Sequence, residues 1–262
     1  MTRLEQLSPT LLELGCPARV YIPLEEVPRL ESLPGEGPEW CAVLPRVWRD
    51  RDEPALRTLL ERARALGFTG VLIGNLGHLP LVRGLNFHLY GDYGLNVFNS
   101  RSLAYLKDKE LESACVSFEL RFAQIRDLKK VLRAEAIVYG RLPLMITENC
   151  LVQNETGCRL DRQGPCVPED GPCRCGQPNV LVDRTGAAFP LLPAYGHRTE
   201  IQNSKPLYLA DRPEHRRLGL AYARLRFTTE TAEECVSVVQ NYLDAAPAAG
   251  DFTRGLYERG VE

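Results

Sequence analysis

Five of the nine cysteines, Cys150, Cys158, Cys166, Cys173 and Cys175, fall within one stretch rich in Gly, Pro and Asn. No helical period runs through it. A loop of this composition can turn several side chains toward one point, whereas a regular helix or strand disperses them. Thiolates gathered in this way suit a zinc ion or an iron–sulfur cluster. A single residue separates Cys173 from Cys175, unlike the two-residue knuckle of common zinc ribbons, so the spacing leaves the two metals open. Disulfides and unligated thiols are the plainer alternatives. Disulfides require an oxidising compartment, and the opening MTRLEQLSPTLLELG lacks the basic start, apolar core and small-residue cleavage site of a secretory signal. The expected setting is therefore reducing and cytoplasmic. Cys16, Cys41, Cys115 and Cys235 lie in apolar or periodic surroundings and read as small core residues.

The elements that would position such a loop are legible upstream of it. Arg19 to Pro23, Trp40 to Leu44, Gly70 to Ile73, Phe87 to Tyr90, Ala114 to Ser117 and Ala136 to Tyr139 are short β-rich runs, and helical patterns alternate with them. In Glu53 to Leu66 the residues Leu56, Leu59, Leu60, Ala63 and Leu66 recur at helical spacing. Arg121 to Leu132 repeats the pattern with Phe122, Ile125, Leu128 and Leu132. Alternating β and α units predict an α/β fold with a parallel sheet, open or curled into a partial or complete TIM-like (β/α) barrel. Asn179 to Leu192 reads as a hairpin turning at Asp183 to Gly186, Leu218 to Phe227 as a further strand, and Thr231 to Leu243 as a helix. The division expected is a barrel-like region over 1–146, a Cys-rich loop with a small β-hairpin insertion over 147–206, and a segment over 207–262 that completes the barrel region.

The chain has 262 residues and can bury a sizeable core, and 44% hydrophobic with 25% charged residues is an ordinary globular balance. Its longest apolar run, Ala136 to Ile146, is broken by Arg141, far short of the ~20 residues of a membrane span. No membrane association is expected. A net charge of −2 gives no global basic field. A nucleic-acid partner would have to use local patches, Arg121, Arg126, Lys129, Lys130 and Arg133 or Arg212, His215, Arg216 and Arg217, and solvated helix faces account for these runs equally well.

Loops leaving the C-terminal ends of parallel strands carry function in such folds. Those ends offer Asn75, then Asp92 with Asn96 and Asn99, then Glu119, then Tyr139 with Arg141. Of these, Asp92, Asn96, Glu119 and Tyr139 are taken as the lining of a catalytic pocket. Each has a plainer reading: Asn99 as a helix cap, Asp92 in a turn, Glu119 at a helix start. Hydrolase templates are poorly matched, since no Gly-x-Ser-x-Gly elbow, His-Glu-x-x-His helix or phosphate loop is present. A cysteine nucleophile activated by His197 is a further option.

The succession GVLIGNLG, HLYGDYGLNVFNS, VSFELRFAQI and EAIVYGRLPLM, followed by LVDRTGAAFPLLPAYGHRTEIQNSKPLYL and FTRGLYERGV, resembles the collagenase-like peptidase family, peptidase family U thirty-two, from about residue 70 onward. The family pattern is similar to Glu-x-Phe-x-x-Gly, a small residue, an apolar one, then Cys, with a second Cys seven residues later. Glu135, Ile137 and Gly140 fit it, Pro143 stands where the first cysteine is expected, and Cys150 falls on the second. The resemblance implies a Cys-bound centre, a 4Fe-4S cluster or zinc, near the C-terminal strand ends. Cys150, Cys158, Cys173 and Cys175 are the ligand set it suggests, with Cys166 or His197 as a replacement. The family's members divide between attributed proteolysis and hydroxylation of RNA or of a quinone precursor. The expected partner is accordingly an RNA, another aromatic substrate or a peptide, and a zinc-stapled accessory role is the non-catalytic alternative. About seven strands are legible where a closed barrel needs eight, which predicts a chain that is the C-terminal portion of a longer relative or that completes its barrel by association.

Overall fold

The computed structural model describes residues 1–156 and 177–260. The chain divides into two compact units, Met1–Gly140 with Leu207–Glu262, and Arg141–Pro206.

In the first unit β1 (Arg19–Pro23) leads through a 3-10 turn, Leu24–Arg29, into β2 (Glu39–Val43). A short N-terminal helix, α1 (Pro9–Glu13), precedes them, and α2 (Glu53–Ala65), β3 (Gly70–Ile73), α3 (His78–Val82), β4 (His88–Gly91), α4 (Ser100–Asp108), β5 (Ser113–Cys115), α5 (Phe122–Asp127) and β6 (Arg133–Gly140) follow in strict alternation. Local chemistry explains the boundaries. Helix α2 has Pro54 in its first turn and buries Leu56, Leu60 and Ala63, and Gly67, at φ +100°, turns the chain out of it. The side chain of Asn99 accepts the amides of Arg101 and Ser102, each at 3.0 Å, and so caps α4. Helix α5 is shorter than the periodicity of Arg121 to Leu132 predicts. Leu128 leaves the helical region at ψ 130°, and Lys130 Nζ folds back onto the Ile125 carbonyl at 2.6 Å, capping the exposed end.

The second unit contains β7 (Pro143–Thr147), α6 (Leu151–Thr156), β8 (Asn179–Val182), β9 (Ala188–Ala194) and β10 (Arg198–Gln202). These strands form one antiparallel sheet in the order β7-β10-β9-β8. The β8–β9 hairpin turns on Asp183, whose Oδ1 accepts the Thr185 and Ala187 amides at 2.8 and 3.0 Å. Strands β7 and β10 are absent from the sequence reading because proline, charge and threonine interrupt their alternation.

The chain then returns to the first unit with β11 (Leu207–Tyr208), β12 (Tyr222–Leu225) and α7 (Ala232–Leu243). A Thr231–Glu234 capping box starts α7, with reciprocal bonds of 2.8 and 3.3 Å. The main sheet runs β1-β2-β3-β4-β5-β6, with β12 parallel and β11 antiparallel to β6. It curls into a half-barrel of parallel strands alternating with helices. Among the described residues no strand pairs with the free side of β1. The N-terminal segment bridges that side instead: Thr2 Oγ1 donates to the Thr228 carbonyl at 3.1 Å, Gln6 Nε2 to the Glu230 carbonyl at 3.1 Å, and the Leu4 amide to Glu26 at 3.2 Å.

Candidate functional site

Strand register decides which side chains share the concave face. Arg19 pairs with Glu39, Cys41 with Gly70, Leu72 with Tyr90, Tyr90 with Ser113 and Cys115 with Glu135. Because alternate residues share a face, this row places Arg19, Glu39 and Glu135 inside the curl, and Asp92, two residues past Tyr90, and Arg224, opposite Ile137, fall on the same face. Contacts across strands that are not neighbours show how tight the curl is. Arg19 reaches Glu39 at 2.7 Å, Ser113 Oγ at 2.9 Å and the Tyr222 hydroxyl at 3.3 Å, spanning β1, β2, β5 and β12. Its guanidinium lies 3.5 Å from the centroid of the Tyr90 ring, and the Tyr90 hydroxyl donates to the other Glu39 oxygen at 2.6 Å. Gly70 makes room for this layer, since a Cβ there would stand 2.5 Å from Cys41 Sγ and 2.7 Å from the Tyr90 ring.

The layer above is built on Arg224. Its guanidinium pairs with Glu135 on β6 and with Asp92 just past β4, and it lies 4.6 Å from the centroid of the Tyr21 ring. The Tyr21 hydroxyl donates to Glu135 Oε2 at 3.0 Å. Burial opposes the charge on Arg224, but the Glu135 and Asp92 carboxylates outweigh it and hold the guanidinium protonated far above its usual range. Burial also pushes the Cys41 and Cys115 thiols well up, so both stay protonated. Two guanidiniums thus face Glu39, Glu135 and Asp92, and tyrosine hydroxyl donors support the surplus negative charge.

The C-terminal strand ends form a different environment. Tyr93 follows β4, and the guanidiniums of Arg46, beyond β2, and Arg226, beyond β12, lie 5.7 and 5.9 Å from its ring centroid. Phe118, beyond β5, sets its ring 5.8 Å from Tyr93 at an interplanar angle of 51°. Two glycines fix these positions. A Cβ on Gly94 would meet the Gly74 carbonyl at 2.6 Å, so the loops after β3 and β4 touch backbone to backbone. Gly140, at φ +116°, would place a Cβ 2.0 Å from the Arg226 carbonyl oxygen.

At this mouth His78 is fully buried, 6.2 Å ring to ring from Trp48. Neither ring nitrogen has a hydrogen-bond partner of normal geometry among the described residues, the Pro45 carbonyl offering only a looser contact. Burial lowers the imidazole to about 4, against smaller opposing effects of Pro45 and Asp92. The folded value therefore lies below the ~6.5 of an unfolded chain, which takes up the proton first as pH falls. Stability from this group is complete above pH ~6.5 and is lost toward pH ~4, by on the order of 3 kcal/mol. Urea unfolding of wild type and His78→Phe at several pH values checks this. The variant should match or exceed wild type at pH 7 and lose less stability on acidification, and parallel pH profiles would remove the assignment.

Of the residues expected at the site, Asp92 lies at the mouth. Its Oδ1 is held by Arg224 and by the Tyr93 amide at 2.8 Å, while Oδ2 faces Gly74 without a donor among the described residues. Asn96, in the left-handed region at φ 51°, ends the turn that carries Tyr93. Glu119 begins the turn after Phe118, its amide donating to Ser117 Oγ at 3.3 Å. Tyr139 points its hydroxyl to Glu230 at 3.1 Å, and its ring packs with Tyr208, Phe227 and Tyr242. It belongs to an aromatic core cluster and makes no hydrogen bond to Asp92. Arg19, Glu39 and Arg224 carry no mark in the sequence reading, since Arg19 and Arg224 sit within runs read as strands and Glu39 stands just before one. A charged residue on alternate positions of a buried strand was the available signal.

Cys150 lies in the second unit, directly before α6. It is half-buried, and its sulfur accepts the Gln153 amide at 3.4 Å at the start of α6. Cys158, Cys166, Cys173 and Cys175 lie outside the described residues. His197, at φ 60°, occupies the turn between β9 and β10. Among the described residues no group of three or more His, Cys, Asp or Glu is arranged to hold a metal ion, and no helix is long and apolar enough to cross a membrane. The basic runs are engaged locally: Arg126 with Asp127 at 2.8 Å, Arg133 with Glu112 at 2.9 Å, and Arg212 with Glu258 at 2.8 Å.

A family model described as Peptidase family U32 matches residues 35–179, which includes β2 through β7 and the whole cysteine loop. No curated protein and no solved structure matches the chain.

Proposed function

The chain belongs to peptidase family U32, and from that premise we propose that it is an enzyme whose cysteine loop holds an iron–sulfur cluster or zinc and which modifies an aromatic substrate, a base of RNA foremost. The observation that carries the aromatic reading is the mouth, where Tyr93 and Phe118 present ring faces beside two arginines. Stacking on such faces tolerates any flat ring and is worth about 1–3 kcal/mol per base. Asp92 supplies an acceptor for an N–H or O–H of the ring, and Arg224 holds that carboxylate in one orientation. Cys150 is the described member of the suggested ligand set, and Cys158, Cys173 and Cys175 would complete it, with Cys166 or His197 as substitutes. A bound cluster supplies one-electron chemistry and bound zinc a Lewis acid.

Substitution of Cys150 by Ser tests the metal centre. Protein purified without oxygen should contain iron and sulfide with visible absorption, or stoichiometric zinc, and Cys150→Ser should lose most of that metal and the activity with it. Full metal content and activity in the variant would end this reading. Peptidase activity is the second reading, and the family's own description favours it. Cleavage of gelatin or casein by homogeneous, metal-loaded protein, blocked by a chelator, would replace the first reading with it.

A further inference from the structure

We propose that the mouth contains an oxyanion subsite centred on Arg46, so that its ligand is an aromatic ring carrying a phosphate or carboxylate. This rests on the reading of the mouth as the substrate site and narrows what that site accepts.

The argument begins with topology. Strands β2 and β12 stand apart in the sheet, with β3 to β6 between them. Only the curl brings the residues beyond their ends over one ring, with Arg46 at 5.7 Å and Arg226 at 5.9 Å from the Tyr93 centroid. Two like charges are thereby directed at a single aromatic side chain. Asp92 and Glu135 are paired with Arg224, and Glu119, the carboxylate next to Phe118, makes no ion pair with Arg46. Arg46 is exposed and makes no ion pair or hydrogen bond among the described residues.

At 5.7 Å from the centroid the exposed Arg46 guanidinium sits beside the Tyr93 ring without being stacked on it, which leaves its fork of N–H groups able to turn to a ligand. Such a fork fits the two oxygens of a phosphate or carboxylate in parallel. The Tyr93 and Phe118 rings, tilted by 51° to one another, then receive the aromatic body of the same molecule. Ring and charge are read at adjacent points, and a neutral ring of equal size forfeits the charge-assisted bonds.

Calorimetric titration of the 262-residue chain with phenyl phosphate, benzoate, benzyl alcohol and inorganic phosphate tests this. At least one aromatic anion should bind about tenfold or more tightly than benzyl alcohol and than inorganic phosphate, and the stronger of the two assigns the oxyanion. Arg46→Ala should remove about tenfold or more of that affinity, while Arg46→Lys should recover part of it. Arg46 is exposed, so these variants are expected to keep the wild-type unfolding profile, which circular dichroism verifies. Equal binding of benzyl alcohol, equal binding of inorganic phosphate, no binding of either anion, or undiminished affinity in Arg46→Ala would each overturn the subsite. The same titration on Cys150→Ser separates the two ideas. Intact anion binding in a metal-free, inactive variant leaves both standing, and intact anion binding beside full activity in that variant sinks the metal-enzyme reading alone.

Discussion

Replacement of Arg224 by Met should cost about 3–5 kcal/mol, a large part of the ~5–15 kcal/mol that holds an ordinary domain together. The guanidinium is almost fully buried and pairs with two carboxylates, Glu135 on β6 and Asp92 just past β4. Without it Glu135, itself 3% exposed, is left among the described residues with the Tyr21 hydroxyl as its hydrogen-bond partner. The pair as a whole need not stabilise the fold, because desolvation of both ions offsets much of their attraction. A second substitution should therefore restore part of the loss: Arg224→Met with Glu135→Gln is expected to be more stable than Arg224→Met alone. Urea midpoints of the two variants provide the check, and a single-variant loss below about 1 kcal/mol would refute the burial argument.

The second large effect is expected at Gly140. Alanine there must adopt φ +116° and place its Cβ against the Arg226 carbonyl at 2.0 Å. Backbone strain of about 1–3 kcal/mol adds to the cost of moving the β12 end away from β6. A loss of about 3 kcal/mol or more is predicted, together with weaker aromatic-anion binding, because Arg226 follows the same backbone, its amide bonded to the Tyr139 carbonyl at 2.9 Å. Urea unfolding measures the first and calorimetry the second. Stability within about 0.5 kcal/mol of wild type would mean that the contact relaxes freely.

These predictions also mark what the sequence does and does not convey. Strands β1 and β3 begin and end where the β-rich runs do, at Arg19–Pro23 and Gly70–Ile73, because compact apolar runs of four or five residues have few other uses in a βα repeat. Helix α2 follows the spacing of Leu56, Leu60 and Ala63 to within a residue. Asp92 is legible as a strand-end residue, since position alone marks it. Its partner is not: Arg224 lies 132 positions away, and no local pattern joins them. The same holds for Arg19, whose contacts reach Ser113 and Tyr222. The mouth escapes notice for another reason. Arg46, Tyr93, Phe118 and Arg226 are each unremarkable in their own segments, and only the curl of the sheet makes them neighbours.

The N-terminal bridge along β1 has a consequence in time. Thr2 and Gln6 bond to the backbone of Thr228 and Glu230, 226 and 224 positions further along. A polypeptide is made from its N-terminal side, so those bonds have no acceptor until Thr228 and Glu230 have been added. Until then β1 offers an unpaired edge, which other chains can pair with. Contacts of such long separation also close slowly. Synthesis rate and chaperone access during that interval should therefore govern the yield of native protein more strongly than the final stability does.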